Sequence, residues 1–286
     1  MRIALIGANG QLGSDLAKVL GPVHNLMSLT HAEIEVTDPQ SVEAMMQNHK
    51  PDIVLNTAAF HKVDVCEDQV EQTFAVNVYG VRNLALACRA YDATLVHMST
   101  DYVFGGDQAR DTPYTETDMP APINVYGVSK LAGEHFVRYV LDRYFIFRVS
   151  GLYGVAGSSG KGGNFVELML RLAREGKDIR VVDDQRLTPT YTVDLAEQMA
   201  AIIETEHYGL YHATSQGSCT WYEFAVEIFR QSGLNNNFGR AKTGDFGEKA
   251  TRPAFSVLDN KALHDIGMDM MRPWQEALAA YLMERG

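Results

Sequence analysis

The first thirteen residues restrict the fold more than any other stretch of the chain. Arg2-Ile-Ala-Leu-Ile-Gly7 is an uninterrupted apolar run of the kind that forms a strand buried on both faces. It passes directly into Gly7-Ala-Asn-Gly-Gln-Leu-Gly13, and the helical pattern Ser14 to Leu20 follows until Gly21-Pro22 ends it. Strand, glycine turn and helix in that order open a dinucleotide-binding unit. Glycine lets the backbone turn tightly and approach a pyrophosphate, while the helix start supplies N–H donors. The spacing is G-x-x-G-x-x-G rather than the commoner G-x-G-x-x-G, and a turn selected only for close helix–strand packing would look the same. Its place at the head of an alternating chain favours the nucleotide site.

That alternation continues for about 150 residues. A second strand is expected at Asn25 to Leu29, and Asp38-Pro39 opens a helix with Asp as its cap. Asp52 to Asn56 forms a third strand, a long helical region runs from about Asp64 to Tyr91, and Thr94 to Met98 forms a fourth strand ending at Ser99-Thr-Asp101. A helix containing Tyr126 and Lys130 and a fifth strand, Tyr144 to Val149, complete the pattern. The expected class is α/β, a doubly wound parallel sheet of the Rossmann type with a smaller C-terminal lobe. Residues 1–150 form the dinucleotide-binding domain, and 151–286 are mostly a substrate-binding lobe, with 209–214 returning to the sheet. The glycine-rich run 151–163 reads as a mobile loop or lid hinge. Helices are expected at Asn164 to Glu175, after Asp194, at Thr220 to Gln231 and at Trp274 to Met283, with a strand at Ile179 to Val182. The polar residues after Gly233 read as irregular surface.

A net charge of −11 with no basic run argues against a nucleic-acid or anionic-membrane partner. Cys66, Cys88 and Cys219 are widely spaced and show no metal-ligand pattern, so no metal and reduced thiols in a cytoplasmic setting are expected. The run after Arg2 is too short for a signal peptide, and no stretch reads as a membrane span.

The chemistry centres on Tyr126-Gly-Val-Ser-Lys130. Positions four apart share one helix face, and a cation beside a phenol favours the phenolate, bringing its pKa towards a useful range. Tyr-x-x-x-Lys also occurs on ordinary amphipathic helices, so its surroundings decide. Ser99-Thr-Asp101 ends the fourth strand, where open α/β sheets place ligands, and a hydroxyl there can donate to a carbonyl oxygen as it gains charge. Thr100, Tyr126 and Lys130 together suit proton delivery to an oxygen while hydride reaches the attached carbon. At the tip of the second strand, Ser28-Leu-Thr-His-Ala-Glu33 puts Thr30 where an acid would mark NAD. This leans towards NADPH and leaves NADH open, with Glu33 able to reach in from the loop.

With these features the chain resembles the extended short-chain dehydrogenase/reductases. More narrowly, Ser99-Thr-Asp-Tyr-Val-Phe104, Asn124-Val-Tyr-Gly127, Ser129-Lys-Leu-Ala-Gly-Glu134, Gly163-Asn-Phe165, Val182-Asp-Asp-Gln185, Trp221-Tyr-Glu-Phe224 and Arg252-Pro253 resemble the dTDP-4-dehydrorhamnose reductases. The likeness runs nearly end to end. It implies a nucleotide-sugar 4-ketoreductase in which Tyr126 protonates the C4 oxygen, Thr100 binds that oxygen, and Lys130 lowers the tyrosine pKa and holds the nicotinamide ribose. It places Gly7, Asn9, Gly10, Gln11 and Leu12 under the pyrophosphate, Asp38 near the adenine, and Ala58, Ala59, Phe60 and Ser99 along the cofactor. Asp101, Tyr102, Asn164, Gln185 and Arg252 become candidates for the sugar nucleotide, the last because a guanidinium grips phosphate bidentately. A monomer or homodimer is expected.

Two departures stand out. The family's usual Trp after the fifth strand is replaced by Gly151, with Tyr153 as the candidate substitute, and Arg186-Leu187 replaces the usual Phe-Gly before Pro189-Thr190. Losing an aromatic platform removes apolar contact to a hexose face, so a related 4-keto sugar stays open. Related dehydratases carry a Glu where this chain has Tyr102, which disfavours elimination. A non-catalytic NADP-binding regulatory subunit is the remaining alternative, and the intact Thr100, Tyr126 and Lys130 set speaks against it.

Overall fold

Six parallel strands carry the larger part of the molecule in a computed structural model that describes residues 1–156, 163–234 and 238–286. The strands β1 (Arg2–Ile6), β2 (Asn25–Leu29), β3 (Ile53–Asn56), β4 (Thr94–Thr100) and β5 (Tyr144–Val149) are joined at the β5 edge by Gly209–His212. The sheet order is Gly209–His212, β5, β4, β3, β1, β2. The chain therefore leaves β1 to one side and returns for β3 on the other, which opens a crevice at the carboxyl ends of those two strands. β3 and β4 are buried throughout, although β3 ends on Asn56 and β4 carries His97, Ser99 and Thr100 among its apolar residues.

The two faces of the sheet have separate cores. Leu5, Leu55, Phe147 and Met199 belong to one, and Ala4, Val54, Leu84 and Ile146 to the other. Helix Thr192–Ile203 packs on helix Gln11–Leu20 and contributes Leu195, Met199 and Ile202 to the first core. Helix Lys261–Asp265 lies beside Gly209–His212. Thus a good part of the chain beyond residue 150 belongs to the sheet. The second lobe has its own core around Tyr153, Val166, Ile179, Phe224, Trp274 and Tyr281.

Two expectations need correction. The helical region is not continuous: Val63–Asp68 and Val70–Phe74 are separated at Gln69, and a π-helical stretch, Ala75–Gly80, precedes helix Val81–Ala90. The residues after Gly233 are not wholly irregular, because Phe238–Ala241 pairs in parallel with Ile179–Val182 and covers its edge. Four residues with a glycine among them are too few to show a strand period. Of the glycine-rich run, residues 157–162 lie outside the described residues. Among the described residues no helix is long and apolar enough to cross a membrane.

Candidate active site

The helix Val125–Val140 owes its position to two close approaches. Asn124 caps it by accepting the Gly127 N–H at 2.8 Å and anchors itself by donating to the Thr251 carbonyl at 2.8 Å. A Cβ on Gly127 would lie 2.1 Å from the Tyr102 carbonyl oxygen, so only glycine lets this first turn press on the end of β4. Nearly two turns further along, a Cβ on Gly133 would lie 2.6 Å from the Asn77 carbonyl oxygen. The result brings Thr100, Tyr126 and Lys130 to one cleft of about 930 Å³, which also includes the glycine turn after β1. Thr100 and Tyr126 line it side by side, and Tyr102 meets the Tyr126 ring edge-on at 5.9 Å.

Burial dominates the electrostatics here. It pushes the Tyr126 phenol well above its usual range, with Asp101 adding to the rise and the Thr100 hydroxyl opposing it. Burial also lowers Lys130 to about 8 against the pull of Glu134. The expected action of the ammonium on the phenol is therefore not what governs Tyr126; the phenol keeps its proton, and Lys130 Nζ faces His97 Nε2 at 3.5 Å. Burial raises Asp101 to about 6, although Ser256 and Ser150 donate to it at 2.6 and 2.8 Å. Behind the site, Arg148 grips the buried Glu134 through Nε and Nη2 at 2.9 and 2.7 Å, and Ser99 donates to the same carboxylate.

At the β1 end the backbone makes a cradle. Gly7 has φ +82°, and a Cβ on Gly13 would fall 2.2 Å from the Gly7 carbonyl oxygen. A Cβ on Gly10 would meet only the Gly7 oxygen, at 3.2 Å, leaving that side open to the cleft. Gln11 Oε1 is buried without a partner among the described residues. A bare backbone turn, a helix start and an unused acceptor fit a dinucleotide. The opposite wall is the loop after β3, where Asn77 accepts from the Phe60 N–H and donates to the Phe60 carbonyl, both at 2.9 Å, and also donates to Ser129 at 3.0 Å. The π-helical turn aims Asn77 inward, a placement that a plain helical pattern does not announce.

Most of the expected residues line this cleft: Gly7, Asn9, Gly10, Gln11 and Leu12; Ala58, Ala59 and Phe60; Ser99 to Tyr102, Tyr126, Lys130, Gly151 and Asn164. Others stand elsewhere. Thr30 turns back, its N–H and hydroxyl both given to Glu33, and the cleft beside it is lined by His31 and Glu35, which face each other at 3.4 Å. Asp38 caps helix Pro39–His49 through the Gln40 N–H. Tyr153 is buried among Tyr191, Phe224 and Tyr281 in the core of the second lobe. Gln185 donates to Thr243, and Arg252 pairs with Asp64 at 2.8 Å while its Nη1 is buried without a partner among the described residues.

A side chain at Gly151 would be strained and tightly packed. With φ +54°, its Cβ would stand 3.0 Å from Leu187 Cδ1 and 3.1 Å from Pro189 Cα. The aromatic wall comes instead from Phe165 and Trp221, whose ring centroids are 4.7 Å apart, with Leu168 and Arg171 beside them. Trp221-Tyr-Glu-Phe224 was visible as a motif, but nothing local tied it to the site.

Comparison with known proteins agrees with this geometry. The family of the RmlD substrate binding domain matches residues 1–285. The chain is 40% identical to the spore coat polysaccharide biosynthesis protein SpsK of Bacillus subtilis, over 99% of this chain and 98% of that protein. It is 39% identical to a dTDP-4-dehydrorhamnose reductase of Streptomyces griseus, over 97% of this chain and 91% of the other. A crystal structure of dTDP-4-dehydrorhamnose reductase from Bacillus anthracis in complex with NADP superimposes with a TM-score of 0.93 at 39% identity, covering 99% of both chains.

Proposed function

Since the chain belongs to the family of the RmlD substrate binding domain, we propose that it reduces the C4 ketone of dTDP-4-dehydrorhamnose, using NADPH, to give dTDP-L-rhamnose. The observation that carries this reading is the meeting of Thr100, Tyr126 and Lys130 at the carboxyl edge of β4, in the same cleft as the glycine turn. NADPH supplies the hydride that reaches C4. The chain's own residues handle the oxygen. Thr100 Oγ1 donates to Asp101 at 3.1 Å and accepts the Tyr102 N–H at 3.2 Å, so it is held ready beside the phenol. Because burial keeps Tyr126 protonated, the phenol is a donor that releases its proton only to an oxygen gaining negative charge. One hydride at carbon and one proton at oxygen balance the step, and a proton drawn in the end from solvent restores the tyrosine.

The glycine turn would hold the pyrophosphate and the Phe60 loop the adjoining part of the cofactor. Phe165, Leu168, Arg171 and Trp221, with Asn164, would take the nucleotide end of the substrate, which makes residues of the second lobe the substrate side. A different dTDP-linked 4-keto-6-deoxyhexose is the second reading, favoured by Gly151, which offers no side chain to stack on the sugar. The test is NADPH and NADH oxidation by the purified protein against a panel of nucleotide-linked 4-keto sugars. The expected result is turnover with dTDP-4-dehydrorhamnose. Cofactor binding without turnover on any member would overturn the enzyme reading in favour of a binding subunit.

A further inference from the structure

The reaction above gives no part to His97, whose imidazole is fully buried in the middle of β4 between two donors. Nδ1 stands 3.5 Å from Asn56 Nδ2, and Nε2 stands 3.5 Å from Lys130 Nζ. The Asn56 amide is oriented independently, because its Oδ1 accepts the Ala58 N–H at 3.1 Å and its NH2 end must then meet the ring. Burial and the neighbouring lysine keep the imidazole neutral, well below its ordinary pKa. A neutral imidazole has one lone pair and one N–H. With the lone pair on Nδ1 turned to Asn56, Nε2 carries the hydrogen, and that hydrogen faces Lys130. An ammonium finds no acceptor there, whereas a neutral amine can accept from it.

The other groups around Lys130 do not cancel this. On its own helix, Glu134 favours the cation, but its carboxylate is shared by Arg148 and Ser99. Tyr126, on the same helix, is neutral. From the end of β4, Asp101 is occupied by Ser150, Ser256 and Thr100. From the π-helical turn, Asn77 reaches only Ser129 on this helix. We propose that His97 is a positioning residue that loosens the hold of Lys130 on its proton by presenting an N–H instead of a lone pair, so that the lysine gives that proton up when Tyr126 has spent its own. In that step an Nζ–H bond breaks and the phenolate O–H re-forms. The amine left behind accepts from His97 Nε2–H until a solvent proton restores it. The consequence for turnover rests on the reductase reading; the effect on Lys130 does not.

The test is therefore independent of activity: 13C NMR titration of lysine Cε in the labelled, cofactor-free full chain, with Lys130 assigned from its missing signal in Lys130→Met. The wild-type Lys130 midpoint is expected near 8. His97→Gln can offer an amide oxygen to the ammonium and should raise it by about one unit or more. Asn56→Leu frees the ring lone pair to pass to Nε2 and should move it the same way, which covers a poorly folding His97 variant. In a reductase assay, His97→Gln should lower kcat while leaving both KM values near wild type. A wild-type midpoint at the ordinary lysine value, or midpoints unchanged in both variants, would overturn the proposal. A well-folded wild type with no reductase activity would sink the reaction proposed above and leave this titration decisive.

Discussion

On the sheet side of the cleft, Ser99, Thr100, Asp101 and Lys130 are buried, and their polar groups are engaged with Glu134, Ser150, Ser256 and His97. On the lobe side, Phe165 and Trp221 are half-buried and Leu168 and Arg171 are exposed. Arg171 has no ion pair among the described residues. The contrast has a chemical sense. Proton delivery needs fixed dipoles in a place shielded from water, where reorganisation is small. Gripping the far end of a substrate needs area and charge that stay open until the ligand arrives. Substitutions on the sheet side should therefore damage rate, stability or titration, and those on the lobe side mainly affinity.

The largest effect is expected from Tyr126→Phe. Removing the hydroxyl takes away the proton donor but little of the ring packing against Tyr102. Turnover should fall by about 10²- to 10⁴-fold or more, with NADPH affinity within a few-fold of wild type by fluorescence titration. A variant with near-normal kcat would remove the central assignment. Close behind stands Arg148→Met, directed at the underside of the same bank. It strands the Glu134 carboxylate, whose side chain is 1% exposed, and breaking such a pair by removing one partner costs about 3–5 kcal/mol. Urea unfolding should show that loss; a small change would mean that Ser99 and relaxed water suffice for Glu134.

The pH dependence of stability separates groups within the sheet side. Burial holds His212 down at about 3, against 6.5 for an unperturbed histidine. The unfolded chain thus binds the proton first, and stability present above about 6.5 is lost as pH falls towards 3. His97 acts in the same sense. Asp101 acts oppositely, since its pKa is raised from 3.8 to about 6, and its share of stability falls as pH rises through that window. Between about pH 4 and 6, His212→Asn should flatten the rise of unfolding free energy with pH, and Asp101→Asn should steepen it. Equal slopes in all three proteins would show that these groups are not buried in solution as they are here.

The two banks also differ in how much of them could be read in the sequence. The glycine turn, the Ser99 to Asp101 strand end and the Tyr126–Lys130 pair were legible because each rests on local rules: backbone freedom, strand polarity and helical spacing. The wiring beneath them was not. Glu134 meets Arg148 and Ser99, and His97 meets Asn56, through contacts that only sheet order creates. The lobe bank was hardly legible at all. Tyr153, two residues from Gly151, suggested itself as the missing aromatic wall, yet the strand Leu152–Tyr153 points it into the lobe core. Trp221 serves instead, brought from far along the chain by the packing of helix Phe165–Arg174 on helix Trp221–Gln231. Gln185 and Arg252 carried the right chemistry, but nothing local announced their tertiary partners Thr243 and Asp64.

The smallest expected effect, and the one that separates the two banks most directly, is that of Trp221→Ala. The indole is half-buried against Phe165, so its loss opens a groove without emptying the lobe core held by Phe224 and Trp274. An aromatic contact of this kind contributes about 0.5–1.5 kcal/mol beyond its area, or roughly a few-fold to tenfold in affinity. KM for the nucleotide sugar should rise by that factor, while kcat and NADPH affinity stay close to wild type, because Tyr126, Thr100 and the glycine turn are untouched. dTDP alone should lose the same factor as a competitive inhibitor if Trp221 faces the nucleotide. If KM for the sugar nucleotide rises while inhibition by dTDP is unchanged, Trp221 faces the hexose and replaces the wall that Gly151 cannot provide. A fall in kcat with KM unchanged would break the division between a sheet side that performs the reaction and a lobe side that holds the substrate.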